Sequence, residues 1–293
     1  MSYTPEDVPS DSTTIIAPLS TNHTHTVIFL HGREDFGEDL AHYFFDSTSS
    51  DGSSLAELFP STKWVFPTAK LRYSAQRDFE FSSSSFAESL KGEEIISQWF
   101  DVWDIKAPNE KQDLMIAGLQ ESIKDIIQII QEEAEIIPLE RVFLGGISQG
   151  CATGIHALLY SGLQLGGFIG LSSWLPFQNI IEQIPSSPGG KNNEEISQHI
   201  KAILGVPNDT DDRSSTTSVN IATAVPRTPV FLAHSKDDET VPFAHGQGLY
   251  KSIKSLGFGT TWKEYDDGGH WINPSQGVDD ISLFLRQCMG SKS

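Results

Sequence analysis

Short apolar runs alternate along the chain with longer stretches in which apolar residues return every third or fourth position. Thr26-Val27-Ile28-Phe29-Leu30, Lys63-Trp64-Val65-Phe66, Val142-Phe143-Leu144, Phe168-Ile169-Gly170-Leu171, Pro229-Val230-Phe231-Leu232-Ala233 and Thr260-Thr261-Trp262-Lys263-Glu264-Tyr265 read as strands. Most lack the polar alternation of a strand with one wet face, which predicts burial on both sides. From Asn109 to Ile137, the residues Ile116, Leu119, Ile123, Ile126, Ile127, Ile130, Ala134 and Ile137 form one stripe, with Glu121, Lys124, Asp125, Gln128 and Glu132 between them. That spacing predicts a long amphipathic helix, ended by Pro138. Shorter helices are predicted over Leu40–Phe45, Leu55–Phe59, Cys151–Tyr160, Phe243–Leu256 and Val278–Met289. Strands flanked by helices pair in parallel through crossovers, so the pattern predicts an α/β fold with a mostly parallel central sheet and helices on both faces.

The pattern lapses in three places. Residues 1–25 read as a polar lead-in, Thr68–Leu90 with Ser82–Ser85 as a surface excursion, and residues 178–227 as an insertion. That insertion holds Pro185-Ser186-Ser187-Pro188-Gly189-Gly190, a helical stretch from Glu194 to Leu204 and the polar run Asn208–Ser218. Such a segment closes over a site or decorates its rim. With no internal repeat and no long linker, residues 1–293 are expected to form a single domain.

Charge narrows the partners. The 39 acidic residues against 20 basic ones give a net charge of −19, and lysine and arginine form no run. Such a field repels nucleic acid and anionic membrane surfaces. Met1–Asp11 lacks a signal peptide's basic start and apolar core, and no apolar stretch reaches the length of a membrane span. Cys151 and Cys288 suggest neither a disulfide framework nor a zinc site. The expectation is a cytoplasmic protein; the oligomeric state is not legible.

The chemistry begins at Gly146-Ile147-Ser148-Gln149-Gly150, where an apolar strand turns sharply into a helix. A serine on such a turn needs neighbours without a Cβ, because side chains at Gly146 and Gly150 would collide with the adjoining strand or helix. The Gln149 amide then lies at a helix N-terminus, where an unpaired N–H favours an oxyanion. His31-Gly32-Arg33 opens the loop after the first strand, where the backbone of Arg33 can supply a second such amide. Downstream, His234-Ser235-Lys236-Asp237-Asp238 follows one strand and Gly268-Gly269-His270 follows the next. The order serine, aspartate, histidine is that of α/β-hydrolases, which makes Ser148 a candidate nucleophile and His270 its base. Asp237 and Asp238 both qualify as the orienting acid. His31 and His234 are alternative loop histidines or competing bases, and a metal site on His234, Asp237 and Asp238 lacks further ligands. The aromatic residues of Gln98-Trp99-Phe100-Asp101-Val102-Trp103 belong to the core or wall a substrate pocket.

Phe29-Leu30-His31-Gly32, Gln98-Trp99-Phe100-Asp101, Gly145-Gly146-Ile147-Ser148-Gln149-Gly150, Leu171-Ser172-Ser173-Trp174-Leu175-Pro176 and Asp238…Val241-Pro242 together resemble the acyl-protein thioesterase and carboxylesterase family. The resemblance runs discontinuously from Val27 to Met289 and implies an α/β-hydrolase fold. It implies Ser148, Asp238 and His270 as the triad, with Arg33 and Gln149 as oxyanion amides. Trp99, Phe100, Trp174 and Leu175 are the candidate pocket residues. The resemblance further implies a cofactor-free, metal-free serine hydrolase acting on a small-molecule ester or an acylated protein. A lactone- or small-metabolite-specific esterase is the nearer alternative, and a non-catalytic binding protein on this scaffold the farther one. Glu34 stands where the family usually has glycine, and Glu239 where it has proline after the triad acid; both put the acyl pocket, not the triad, in question.

Overall fold

A computed structural model describes residues 13–82, 95–184, 192–207 and 227–290. In chain order these form β1 (Thr13–Ile16), β2 (His25–Leu30), α1 (Gly37–Asp46), α2 (Leu55–Leu58), β3 (Thr62–Pro67), β4 (Leu71–Tyr73), α3 (Ala75–Ser82), β5 (Ile95–Ser97) and α4 (Asp113–Ala134). Then follow β6 (Val142–Ile147), α5 (Gln149–Ser161), β7 (Gly167–Leu171), α6 (Gln178–Ile181), α7 (Asn193–Ile203), β8 (Val230–Ser235), α8 (Phe243–Ser255), β9 (Thr260–Tyr265) and α9 (Gln276–Gly290). Seven strands make one sheet in the order β1-β3-β2-β6-β7-β8-β9. Every pairing from β3 to β9 is parallel, and β1 closes the edge antiparallel to β3 with Ile16 opposite Trp64.

The continuous apolar runs of β2, β6, β7 and β8 are buried along nearly their whole length because helices cover both faces. Alternation divides the core in two: Ile28, Leu30 and Leu144 pack with α4, α5, α7 and α8, whereas Val27, Phe29 and Phe143 pack with α1, α2 and α9. The stripe predicted on α4 is the face that buries Leu119, Ile123, Ile126 and Ile130. The helix predicted within the insertion is α7, started by a capping box in which Asn192 and Glu195 bond each other's amides.

Two expectations need correction. The lead-in is not featureless, since β1 lies within it; only Ile15 and Ile16 are apolar there and Ile15 is 54 % exposed, so an edge strand left too short an alternation to detect. The excursion after β3 is likewise structured, with β4 paired to β5 and α3 between them. Met1–Asp11, Ser83–Ser85, Pro185–Gly190 and Asn208–Ser218 lie outside the described residues.

Candidate active site

Every predicted chemical group leaves the carboxyl end of a strand of the same sheet, the edge where open α/β sheets bind ligands. Ser148 follows β6, the His31–Asp35 loop follows β2, Asp238 follows β8 and His270 follows β9. Ser148 holds φ 55° and ψ −125°, a conformation that costs on the order of 1–3 kcal/mol for a residue with a Cβ. Three bonds hold it there: its amide donates to Leu171 O at 2.9 Å, and its carbonyl accepts from Ala152 N at 3.0 Å and Ser173 Oγ at 2.7 Å. The flanking glycines follow from sterics. A Cβ on Gly146 would lie 2.6 Å from the Gly150 carbonyl carbon, and one on Gly150 would lie 2.3 Å from Leu30 O. The strand therefore approaches the helix start more closely than any side chain permits.

Gln149 opens α5, so its N–H has no acceptor within the helix and sits at the positive end of the dipole. Its buried side chain is clamped to the segment after β5, accepting from Trp99 N at 2.9 Å and donating to Phe100 O at 2.8 Å. The loop after β2 comes against the serine: a Cβ on Gly32 would lie 3.5 Å from Ser148 Cβ. His31 shapes this loop and is not a competing base. Its Nε2 accepts the Ala69 amide at 2.9 Å, so Nδ1 carries the proton and donates to Gly32 O at 2.6 Å. Burial pushes its pKa down to about 4. Trp99 Nε1 donates to His31 O at 2.9 Å, and Glu34 N donates to Ser97 O at 2.8 Å. The Arg33 guanidinium reaches Gln98 Oε1 at 3.2 Å, Gln76 Oε1 at 3.0 Å and Ser74 Oγ at 2.6 Å. Glu34 lies at φ 69°, a left-handed conformation that suits glycine, and its carboxylate pairs with Arg77.

The two aspartates take different work. Asp238 is buried; its Oδ1 accepts the Thr240 and Val241 amides at 2.9 Å each, and its Oδ2 accepts from His270 Nδ1 at 2.8 Å. Burial pushes this carboxyl up, yet hydrogen bonds from His234, His270 and Val241 outweigh it and hold the group well below the usual carboxylate range. Asp237 is exposed and accepts the Gly269 amide at 2.9 Å, fixing the loop that carries His270. Among the described residues His234, Asp237 and Asp238 do not gather into a group that could hold a metal ion. Glu239 is exposed. Trp271, next to His270, donates from Nε1 to Ser47 Oγ at 3.0 Å and ties the same loop to the end of α1.

Trp99, Phe100, Trp174 and Leu175 are each at most 3 % exposed and pack in the core beneath these loops, with Phe100 and Trp174 edge to face at 6.2 Å. The aromatic cluster thus braces the site from below. Gln98 and Ser173 stand in the motifs that carry the family resemblance but with no role legible there, and Ser74 and Gln76 give no signal at all, because isolated polar residues have no period.

Comparison with known proteins agrees with this fold. The chain is 26% identical over 285 residues to acyl-protein thioesterase 1 of Gibberella zeae, covering 95% of this chain and 97% of that one. It is 28% identical over 272 residues to acyl-protein thioesterase 1 of Yarrowia lipolytica, covering 92% of each. The fold superposes on crystal structures of Arabidopsis thaliana SOBER1 (TM-score 0.60, 24% identity, 91% of this chain and 99% of that one) and Zea mays acyl-protein thioesterase 2 (0.64, 22%, 95% and 99%). The Phospholipase/Carboxylesterase family model matches residues 11–202 and 211–289, and the chain belongs to that family of α/β-hydrolases.

Proposed function

We propose that the protein is a serine hydrolase that cleaves carboxylic esters or acyl thioesters through an acyl-enzyme on Ser148. The observation that carries this reading is the 2.8 Å bond from His270 Nδ1 to a buried Asp238, on the same sheet edge as a serine held at φ 55°. With Nδ1 donating to Asp238, the His270 Nε2 lone pair is free to act as a base. Nε2 takes the Ser148 hydroxyl proton as Oγ attacks the carbonyl carbon. The carbonyl electron pair moves onto oxygen, where the Gln149 and Arg33 amides would each supply on the order of 3 kcal/mol. Collapse expels the alcohol or thiol, which receives the proton from His270. Water then repeats the sequence and releases the acid.

The printed names of the relatives, acyl-protein thioesterases and carboxylesterase SOBER1, support an acylated protein or a simple ester as substrate. The net charge of −19 argues against nucleic acid as a partner, and a chain with only two cysteines, Cys151 and Cys288, fits a reducing, cytoplasmic setting. Among the described residues no helix is long and apolar enough to cross a membrane. The sheet that continues unbroken from β1 to β9 supports a single catalytic unit. The test is fluorophosphonate labelling together with p-nitrophenyl ester hydrolysis: Ser148→Ala should abolish labelling and lower kcat by about 1,000-fold or more. Labelling that persists in Ser148→Ala overturns the reading.

A further inference from the structure

We infer that His234 is a positioning residue that shares the Asp238 carboxylate with His270 and thereby holds down the basicity of His270. This rests on the serine-hydrolase reading above. His234 lies at the end of β8 with its side chain fully buried, and its Nε2 is 3.1 Å from Asp238 Oδ2, the oxygen that His270 Nδ1 also contacts at 2.8 Å. Nε2 lies as well 3.0 Å from Val241 O. A carbonyl only accepts, so Nε2 carries the proton and divides it between Val241 and Asp238.

The other face of the ring fixes the tautomer. His234 Nδ1 is buried with no hydrogen-bond partner among the described residues, and a Cβ on Gly246 would lie 2.1 Å from it. The Phe243 ring stands perpendicular at 5.8 Å. A proton on Nδ1 would meet no acceptor, so His234 donates through Nε2. Asp238 then has two backbone amides on Oδ1 and two imidazoles on Oδ2, which uses about all four lone-pair directions of a carboxylate. The arrangement fixes the rotation of the acid. It also draws charge from Oδ2, so less of that charge stabilises an imidazolium at His270. Charged neighbours are engaged elsewhere: Lys236 bonds Asp266 at 2.7 Å and lies 3.7 Å from Glu264, Asp237 takes the Gly269 amide, and His245 on α8 contacts Lys106 O.

The experiment compares wild type, His234→Phe and His234→Gln by the pH dependence of kcat/KM, with fluorophosphonate labelling as a check on the triad and thermal unfolding as a check on folding. Phenylalanine keeps the ring and removes the donor; it should move the acid limb up by about half a pH unit or more while KM changes little. Glutamine, whose amide can again donate towards Asp238, should return the limb towards the wild-type position. An unchanged or lowered limb in the phenylalanine variant, or the same rise in both variants, overturns the inference while leaving labelling of Ser148 intact. If the phenylalanine variant does not fold, proton NMR of the wild type decides. Two hydrogen-bonded imidazole N–H signals should appear, one of them lost in His234→Gln, and a single signal overturns the sharing. Absent labelling of wild type would instead remove the serine-hydrolase reading.

Discussion

Asp237 and Asp238 hold one loop through adjacent anchors: Asp237 Oδ1 takes the Gly269 amide at 2.9 Å, and Asp238 Oδ2 takes His270 Nδ1 at 2.8 Å. The exposed carboxylate sets where the loop runs, and the buried one sets which tautomer its histidine adopts. Neighbours in sequence therefore differ in the kind of dependence that activity has on them.

Replacing Asp238 by asparagine keeps the shape but offers His270 an amide that can stabilise the wrong tautomer, and kcat should fall by about 10,000-fold. Asp237→Asn retains a carbonyl for the Gly269 amide, and its kcat should stay within about tenfold of wild type. Steady-state ester hydrolysis by the two variants checks this, and comparable losses would show that the roles are not divided.

The buried histidines predict acid sensitivity. Burial pushes His31 and His156 down to about 4 from an ordinary value near 6.5. Between those values the unfolded chain binds protons that the native protein refuses, so stability is fully present above about pH 6.5 and is lost as pH falls towards 4. Near pH 5 the pair contributes a slope of about two protons, roughly 2.7 kcal/mol per pH unit. Asp238, depressed in the native state, has the same sign at lower pH: its contribution is present above the ordinary carboxylate range and is lost below it. In urea unfolding across pH 4.5–7, His156→Asn, whose amide can keep the Ala152 bond, should reduce the slope by about one proton. A slope identical to wild type would contradict the buried neutral state.

Glu34 sits at φ 69° in the loop that braces Ser148, with Arg77 on its carboxylate. A Cβ in this region costs about 1–2 kcal/mol, and an exposed ion pair returns less than about 1 kcal/mol. Glu34→Ala keeps the strain and loses the pair, whereas Glu34→Gly loses the pair and relieves the strain. Glycine should therefore exceed alanine in stability by about 1 kcal/mol in chemical denaturation, reversing the usual order for these residues.

The sequence displayed what repeats and hid what is paired across space. The helix over 109–137, the apolar strands and the serine turn were legible because periodicity and glycine sterics are local properties. The chain order of Ser148, Asp238 and His270 was legible for the same reason. Which aspartate faces His270 was open from local pattern, since Asp237 and Asp238 differ only in how the turn after β8 directs them. β1 was invisible because an edge strand needs few apolar residues, and the bracing roles of Gln98 and Ser173 depend on segments distant in sequence.

Gly150 meets the end of β2 backbone against backbone, which gives the sharpest steric prediction. A Cβ at Gly150 would lie 2.3 Å from Leu30 O and 2.4 Å from His31 O, both backbone atoms that cannot swing aside. Gly150→Ala must push the first turn of α5 away from the β2 loop, separating the Gln149 amide from the Arg33 backbone by a fraction of an ångström or more. Overpacking of this kind costs about 1–3 kcal/mol in stability, and the displaced donors should lower kcat by about 100-fold. Gly154 on the same helix meets only side chains, Phe168 Cε2 at 3.2 Å and Leu30 Cδ1 at 3.4 Å. Gly154→Ala should therefore keep kcat within about threefold, because those side chains can adjust without moving the backbone donors. Equal effects of the two alanines would mean that the helix start is free to relax, and that the approach of β2 to α5 does not set the geometry at Ser148.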